Sequence, residues 1–297
     1  MFIRIVTTAI LFFSMFNLSF AQESQSNQIK AKHVSGNYYI LSGGGVNVGV
    51  SAGDDGILII DDHYSTMTNE VRSALREIGS DKPEFILNTH LHGDHTGGNE
   101  AMGKDSHIIA HKNVRKRLAT QTRGGDKILP PMPKVGLPVI TFDEGLSLHF
   151  NGEEIKVIHF SEGHTDGDAI VYFTKSNVYH LSDYFFEGRF PYVDLENGGN
   201  VANYIENVDK MIGMISDDAK IVPGHGNVSS LDELKEYHSM LVETVTLVWN
   251  QMSRHRSLED IIERGLPKKY KKWQWNFITE KRWIETVYAS YENLVAN

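Results

Sequence analysis

Between Thr89 and Gly98 the chain places His90, His92, Asp94 and His95 within six residues. The preceding Phe85-Ile86-Leu87-Asn88 is a short apolar run that predicts a strand. The histidines therefore fall where a strand ends and the chain must turn, and Gly93 permits a sharp turn without a side-chain clash. In an extended segment His90 and His92 project to the same side. Such a cluster would repel if protonated, and would be costly if buried without partners. A divalent cation removes both difficulties. Four ligands suffice for one zinc, but this layout suggests two. His90 and His92 need a third imidazole for a tetrahedral site that keeps one position for water, and Asp94 with His95 needs partners for a second ion. Candidates recur at other strand ends: His164 in Gly163-His164-Thr165-Asp166, Asp183 just after Val178-Tyr179-His180-Leu181, and His225 in Pro223-Gly224-His225-Gly226.

The remaining pattern alternates strands and helices. Strands are expected at 38–41, 46–50, 57–60, 83–89 and 107–110, with helices from Thr66 to Ile78 and from Lys112 to Ala119. Val71, Leu75 and Ile78 share one face of the first helix. Residues 121–137 are rich in Gly and Pro and read as a long loop, a candidate flap over a pocket. The period then becomes two, and 146–150 and 155–160 pair across Asn151-Gly152, a favoured hairpin turn. Strands follow at 169–173 and 178–181, then a helix from Val201 to Ile215 and a strand at 220–222. Ser230, and Ser257 with Asp260, begin helices in a region that stays helical to the end. With no dividing linker and no repeat, the reading is an α/β chain of four layers, helices outside two packed sheets.

These motifs resemble the metallo-β-lactamase superfamily. Its opening His-x-His-x-Asp-His motif matches His90, His92, Asp94 and His95, and its later ligands match His164, Asp183 and His225. The resemblance spans about residues 33–228 and implies an αββα sandwich, with a helical tail over about 229–297. It implies two zinc ions: His90, His92 and His164 on the first, Asp94, His95 and His225 on the second, and Asp183 bridging. It also implies a hydroxide between the ions as nucleophile, with Asp94 accepting a hydrogen bond from it. Some β-lactamase subclasses carry Cys where this chain has Asp183, and a bridging acid is typical of thioesterases, lactonases and phosphodiesterases of the family. A small ester, lactone or thioester is thus the expected substrate. β-Lactam hydrolysis is the alternative, and a non-catalytic exported metal-binding protein is the rival from another class.

Composition narrows the field further. The 297 residues include no Cys, which excludes disulfide scaffolds and thiolate metal sites. A net charge of −9 without a basic run argues against nucleic acid as a partner and leaves a small molecule. Arg4, the apolar run 5–13 and Ser19-Phe20-Ala21 read as a signal peptide over 1–21, too short and interrupted for stable membrane insertion. The expected destination is periplasmic or secreted, with 22–297 as one metallo-hydrolase domain. After Asp183 comes an aromatic segment from which Tyr184, Phe185 and Phe190 are expected to wall a substrate pocket. Arg189 is expected to pair with a substrate carboxylate, and Lys127 is a further candidate. His159 and His180 are read as structural, and His107 and His111 as offering no comparable cluster. Gly43-Gly44-Gly45 is read as a turn near the site, and Trp273, Trp275 and Trp283 as packing the terminal helices.

Overall fold

The computed structural model describes residues 29–124 and 127–295, so the expected signal peptide lies outside them. A meander opens the first sheet: β1 (Lys30–Ser35), β2 (Tyr38–Gly43), β3 (Val46–Gly53) and β4 (Gly56–Ile60) pair antiparallel in order. One 3₁₀ turn over Ser65–Met67 leads into α1 (Thr68–Ile78), so the helix proper starts slightly later than its apolar spacing suggested. β5 (Phe85–Asn88) joins β4 in parallel, and two single-turn helices follow, α2 (Gly93–Thr96) and α3 (Asn99–Met102). β6 (His107–His111) and α4 (Lys112–Leu118) come next. The segment expected to be a long loop instead holds a small hairpin, β7 (Thr122–Gly124) and β8 (Lys127–Leu129), before β9 (Ile140–Phe142) closes the sheet beside β6. The side chain of Lys127 lies outside the described residues.

The second sheet runs β10 (Gly145–Phe150), β11 (Glu153–His159), β12 (Ala169–Phe173), β13 (Val178–Phe186) and β14 (Lys220–His225). Asn151 and Gly152 join its first two strands with φ of 52° and 75°, the left-handed pair that an Asn-Gly hairpin turn requires. Between β13 and β14 lies α5 (Val201–Met214), and a crossover helix of that kind is what lets the two strands pair in parallel. α6 (Leu231–Met252), α7 (Leu258–Arg264) and α8 (Glu280–Val295) complete the chain. Ser230 and Glu233 form a reciprocal capping box at the start of α6, and the Ser257 side chain caps α7.

The four layers follow from which faces are apolar. In β4, Leu58 and Ile60 enter a core between the sheets with Leu87, Val157, Val171 and Val222. Ile57 and Ile59 turn the other way onto Val71 and Leu75 of α1. A strand covered on both faces reads as an unbroken apolar run, which is what residues 57–60 are. The outer face of the second sheet lies under α5, α6 and α8. The result is the expected αββα sandwich with a helical C-terminal region. No helix among the described residues is long and apolar enough to cross a membrane.

His111 and His159, from different sheets, stack face to face with centroids 3.8 Å apart and planes 9° from parallel. Burial, with the neighbouring His159 and Lys112 charges, pushes His111 down to about 4 from an ordinary 6.5. The folded state therefore binds fewer protons than the unfolded one between those values, so stability falls as pH drops from 6.5 to about 4. In His111→Phe, thermal unfolding followed from pH 7 to 4 should show a shallower decline than in the parent chain. Identical pH profiles would remove this pair from the acid sensitivity of the fold.

Candidate metal centre and adjoining cavity

The centre is assembled where β4 and β5 end beside the ends of β13 and β14. Asp61 stands just past β4 with φ of 64°, and its amide donates to the Leu87 carbonyl. Its carboxylate accepts from the Thr89 amide at 2.7 Å, the Thr89 hydroxyl at 2.8 Å and His95 Nδ1 at 2.7 Å. One fully buried acid thus ties the end of one strand to the histidine run on the next. Gly98 donates to Asp62 at 2.8 Å and holds the far end of that run.

Two groups of potential ligand atoms result, each with its members within 4.8 Å of one another: His90, His92, His164 and Asp183, then Asp94, His95 and His225. All seven residues named from the sequence converge. Asp183 spans both groups. Its Oδ2 is 3.8 Å from His90 Nε2 and 3.4 Å from His164 Nε2, while Oδ1 is 3.3 Å from His95 Nε2 and 3.4 Å from His225 Nε2. Asp94 Oδ2 lies 3.5 Å from both His95 Nε2 and His225 Nε2.

The far nitrogens of these rings are already engaged. His92 Nε2 donates to Asp194 at 2.8 Å, His164 Nδ1 to the Tyr192 carbonyl at 2.7 Å, and His225 Nδ1 to the Gly45 carbonyl at 2.7 Å. The Thr89 hydroxyl gives its proton to Asp61, so His90 Nδ1 donates to it at 3.0 Å. With those protons assigned, His92 Nδ1 faces His90 Nε2 at 3.1 Å and His164 Nε2 at 2.9 Å, lone pair towards lone pair. His95 Nε2 and Asp183 Oδ1 are buried with no hydrogen-bond partner.

Burial holds His90 well below its ordinary value and His164 down to about 4, keeping both neutral, the form that ligates a metal. At His95 burial also opposes charge, but Asp183, Asp94 and Asp61 outweigh it and draw positive charge to that point. Neutral imidazoles, orphaned acceptors and surplus carboxylates together fit a pair of divalent cations.

Asp61, Asp194, Tyr192 and Gly45 as partners of the ligand rings were not identified from the sequence. Asp61 did carry a signal, since two acids directly after four buried apolar residues are unusual. Asp194 carried none, because its partner is 102 residues away in the chain. Asp61→Asn is the sharpest test of this supporting layer, because Asn tolerates the left-handed backbone and keeps the volume. It should weaken zinc binding about 10–100-fold in a chelator competition, the usual cost of losing a group that orients a ligand. Unchanged affinity would deny Asp61 that role.

Next to the centre opens a cavity of about 640 Å³, within the range of small-molecule sites. His92, Asp94, Asp183 and His225 form its floor, while Arg189 and Phe186 line one side. The aromatic segment after Asp183 otherwise behaves differently from its expected role. The Tyr184 hydroxyl donates to the Phe160 carbonyl, Phe185 packs edge-on against Tyr237, and Phe190 stacks with Trp283. Those three side chains are buried in the core beneath the C-terminal helices and do not reach the cavity, whereas Phe186, Arg189 and Tyr192 of the same segment line it. Trp273, Trp275 and Trp283 pack against the core as expected, and half-buried Trp275 also lines the cavity with Phe277 and Arg282. The glycine turn does lie at the site, through Gly44 and Gly45. His180 is structural, its Nδ1 bonded to the Tyr38 hydroxyl.

The model of the metallo-beta-lactamase superfamily matches residues 41–225, and the chain belongs to that superfamily. Both ligand groups fall within the matched span. No curated protein matches its sequence. Among solved structures, the stereoselective inverting sec-alkylsulfatase Pisa1 from Pseudomonas sp. is 14% identical with a TM-score of 0.68. That match covers 89% of this chain and 50% of the sulfatase, so the chain spans half that protein's length. The DIM-1 metallo-beta-lactamase is 18% identical with a TM-score of 0.59, covering 73% of this chain and 98% of that one. A metallo-beta-lactamase from Pontibacter korlensis is 16% identical with a TM-score of 0.56, covering 72% and 99%. At such identities the likeness is one of fold.

Proposed function

We propose that the protein is an exported dinuclear zinc hydrolase acting on a small ester, lactone or thioester. The observation that carries this reading is Asp183, whose two oxygens face the two ligand groups separately. Zinc held there would supply Lewis acidity and water acidified to a pKa of roughly 7. The chain's own part is positional. His90, His92 and His164 present lone pairs held in one orientation by Thr89, Asp194 and the Tyr192 carbonyl. Asp94, on the cavity floor, can accept a hydrogen bond from the attacking oxygen and keep it directed at the substrate. Phe186 and Trp275 exclude bulk water from one side of that space.

A second reading, hydrolysis of a sulfate ester, is favoured by one observation. The likeness to the sec-alkylsulfatase covers 89% of this chain, against 73% for the DIM-1 enzyme. Metal analysis of the purified chain, followed by a panel of thioester, lactone, β-lactam, secondary alkyl sulfate and phosphodiester substrates, separates these readings. We expect two zinc ions per chain and one substrate class turned over well above a His92→Ala control. Two zinc ions with no turnover of any class would favour a metal-binding protein instead. For export, the mature chain isolated from cells should begin at Gln22; a retained Met1 would count against it.

A further inference from the structure

The cavity has two sources. Its floor comes from strand ends within the family match, whereas Trp275, Phe277 and Arg282 lie beyond residue 225, where that match ends. The C-terminal region therefore does more than cover the second sheet, because the segment leading into α8, with Arg282 on α8 itself, lines part of the site. That lining carries charge. The Arg189 guanidinium lies 5.4 Å from the Trp275 ring centre, and that of Arg282 lies 4.2 Å from Phe277 and 5.5 Å from Tyr192. Arg282 also donates to the Phe277 carbonyl at 3.1 Å.

Three other arginines meet acids, Arg72 with Asp105, Arg76 with Asp81 and Arg117 with Asp166, while Arg115 donates to the Pro138 carbonyl and Arg254, Arg256 and Arg264 lie away from the cavity without an ion pair among the described residues. Arg189 and Arg282 form no ion pair among the described residues, although the chain carries nine net negative charges. Both are half-buried and face one cavity. A guanidinium resting on an aromatic face keeps its planar fork of donors oriented and free for an incoming ligand. Two such forks beside a centre suited to cations add positive charge to one cavity, and with no acid paired to either they leave donors for a negative group.

We infer that Arg189 and Arg282 form a clamp for an anionic group on the substrate, a carboxylate or a sulfo group, whose apolar body lies along Trp275 and Phe277. This deepens the proposed function, on which it rests, by naming the substrate class as anionic and partly apolar. Arg282 then determines specificity from outside the family's common core.

The test is a binding titration of the zinc-loaded full chain, read by tryptophan fluorescence and calorimetry. Three ligands of one shape serve: 4-phenylbutyrate, 3-phenylpropane-1-sulfonate and the neutral 4-phenylbutyramide. At least one anion should bind about tenfold or more tightly than the amide, and the preferred anion tells carboxylate from sulfo recognition. R189Q and R282Q should each weaken that anion about 10–100-fold while leaving the amide within about twofold. R282K, which keeps the charge without the fork, should fall between R282Q and the parent. Thermal unfolding of each variant separates loss of binding from loss of fold. Equal binding of amide and anions, or anion affinity unchanged in the R189Q/R282Q double variant, overturns the clamp. Repeating the titration after chelation separates the two ideas. Arginine-dependent binding in a chain that takes up no zinc keeps the clamp and ends the hydrolase reading. Zinc-dependent turnover with arginine-independent anion binding does the reverse.

Discussion

Replacing Asp183 with asparagine should reduce bound zinc from two ions per chain to one or fewer and cut turnover on the order of 10⁴-fold. The reason is geometric. Asp183 is nearly inaccessible, and its oxygens stand within 3.3–3.8 Å of ring nitrogens from four histidines. Asparagine keeps the shape but removes the charge and one of the two acceptors. The orphaned Asp183 Oδ1, aimed at His95 and His225, is what the second ligand group would lose. Metal analysis of the variant, with steady-state rates on the parent's best substrate, checks both parts. Two zinc ions retained with turnover within about tenfold of the parent would falsify the bridging role.

Trp283→Ala should destabilise the fold by about 3–5 kcal/mol in urea unfolding, the usual cost of emptying a large buried aromatic site. Trp283 is completely buried, stacks on Phe190 and donates its indole N–H to Thr244 at 3.0 Å. It thus joins α8 to α6 and to the segment following Asp183. The truncation leaves a cavity at the junction that carries Arg282 on the adjacent residue, and it removes the indole donor from Thr244, whose hydroxyl keeps its own bond to the Met240 carbonyl. Substrate affinity should weaken along with stability. A loss under about 1 kcal/mol would mean that the C-terminal helices repack freely around the gap.

Much of the local structure was legible because it has local causes. Residues 57–60 read as a doubly covered strand because a strand with helices on one face and a sheet on the other has no side left for polar residues. Asn151-Gly152 read as a hairpin turn because both positions need left-handed backbone. Ser230 and Ser257 read as helix starts because their side chains accept from amides three residues on. The histidine run read as a metal site because so many coordinating groups in one turn have few other uses.

The errors have a common origin as well. Tyr184, Phe185 and Phe190 share a short aromatic segment with Phe186 and Arg189, and nothing in its spacing says which members face a ligand. All four aromatics join the core under the C-terminal helices, and only Phe186 of them also lies at the cavity. Trp275 packs with Trp273 and Trp283 as its sequence context suggested, but nothing in the chain says that it also lines the cavity. The segment at 121–137 looked featureless because a three-residue strand such as β8 leaves almost no periodic trace.

From the sequence alone came the coordinating groups, the strand ends that carry them and the alternation of layers, since each depends on residues adjacent in the chain. Only the tertiary structure could say that Asp61 and Asp194 hold His95 and His92, and that Arg282 looks into the same cavity as Arg189. Chain periodicity states which side of an element a residue occupies, but what lies opposite that side is set by how distant elements pack.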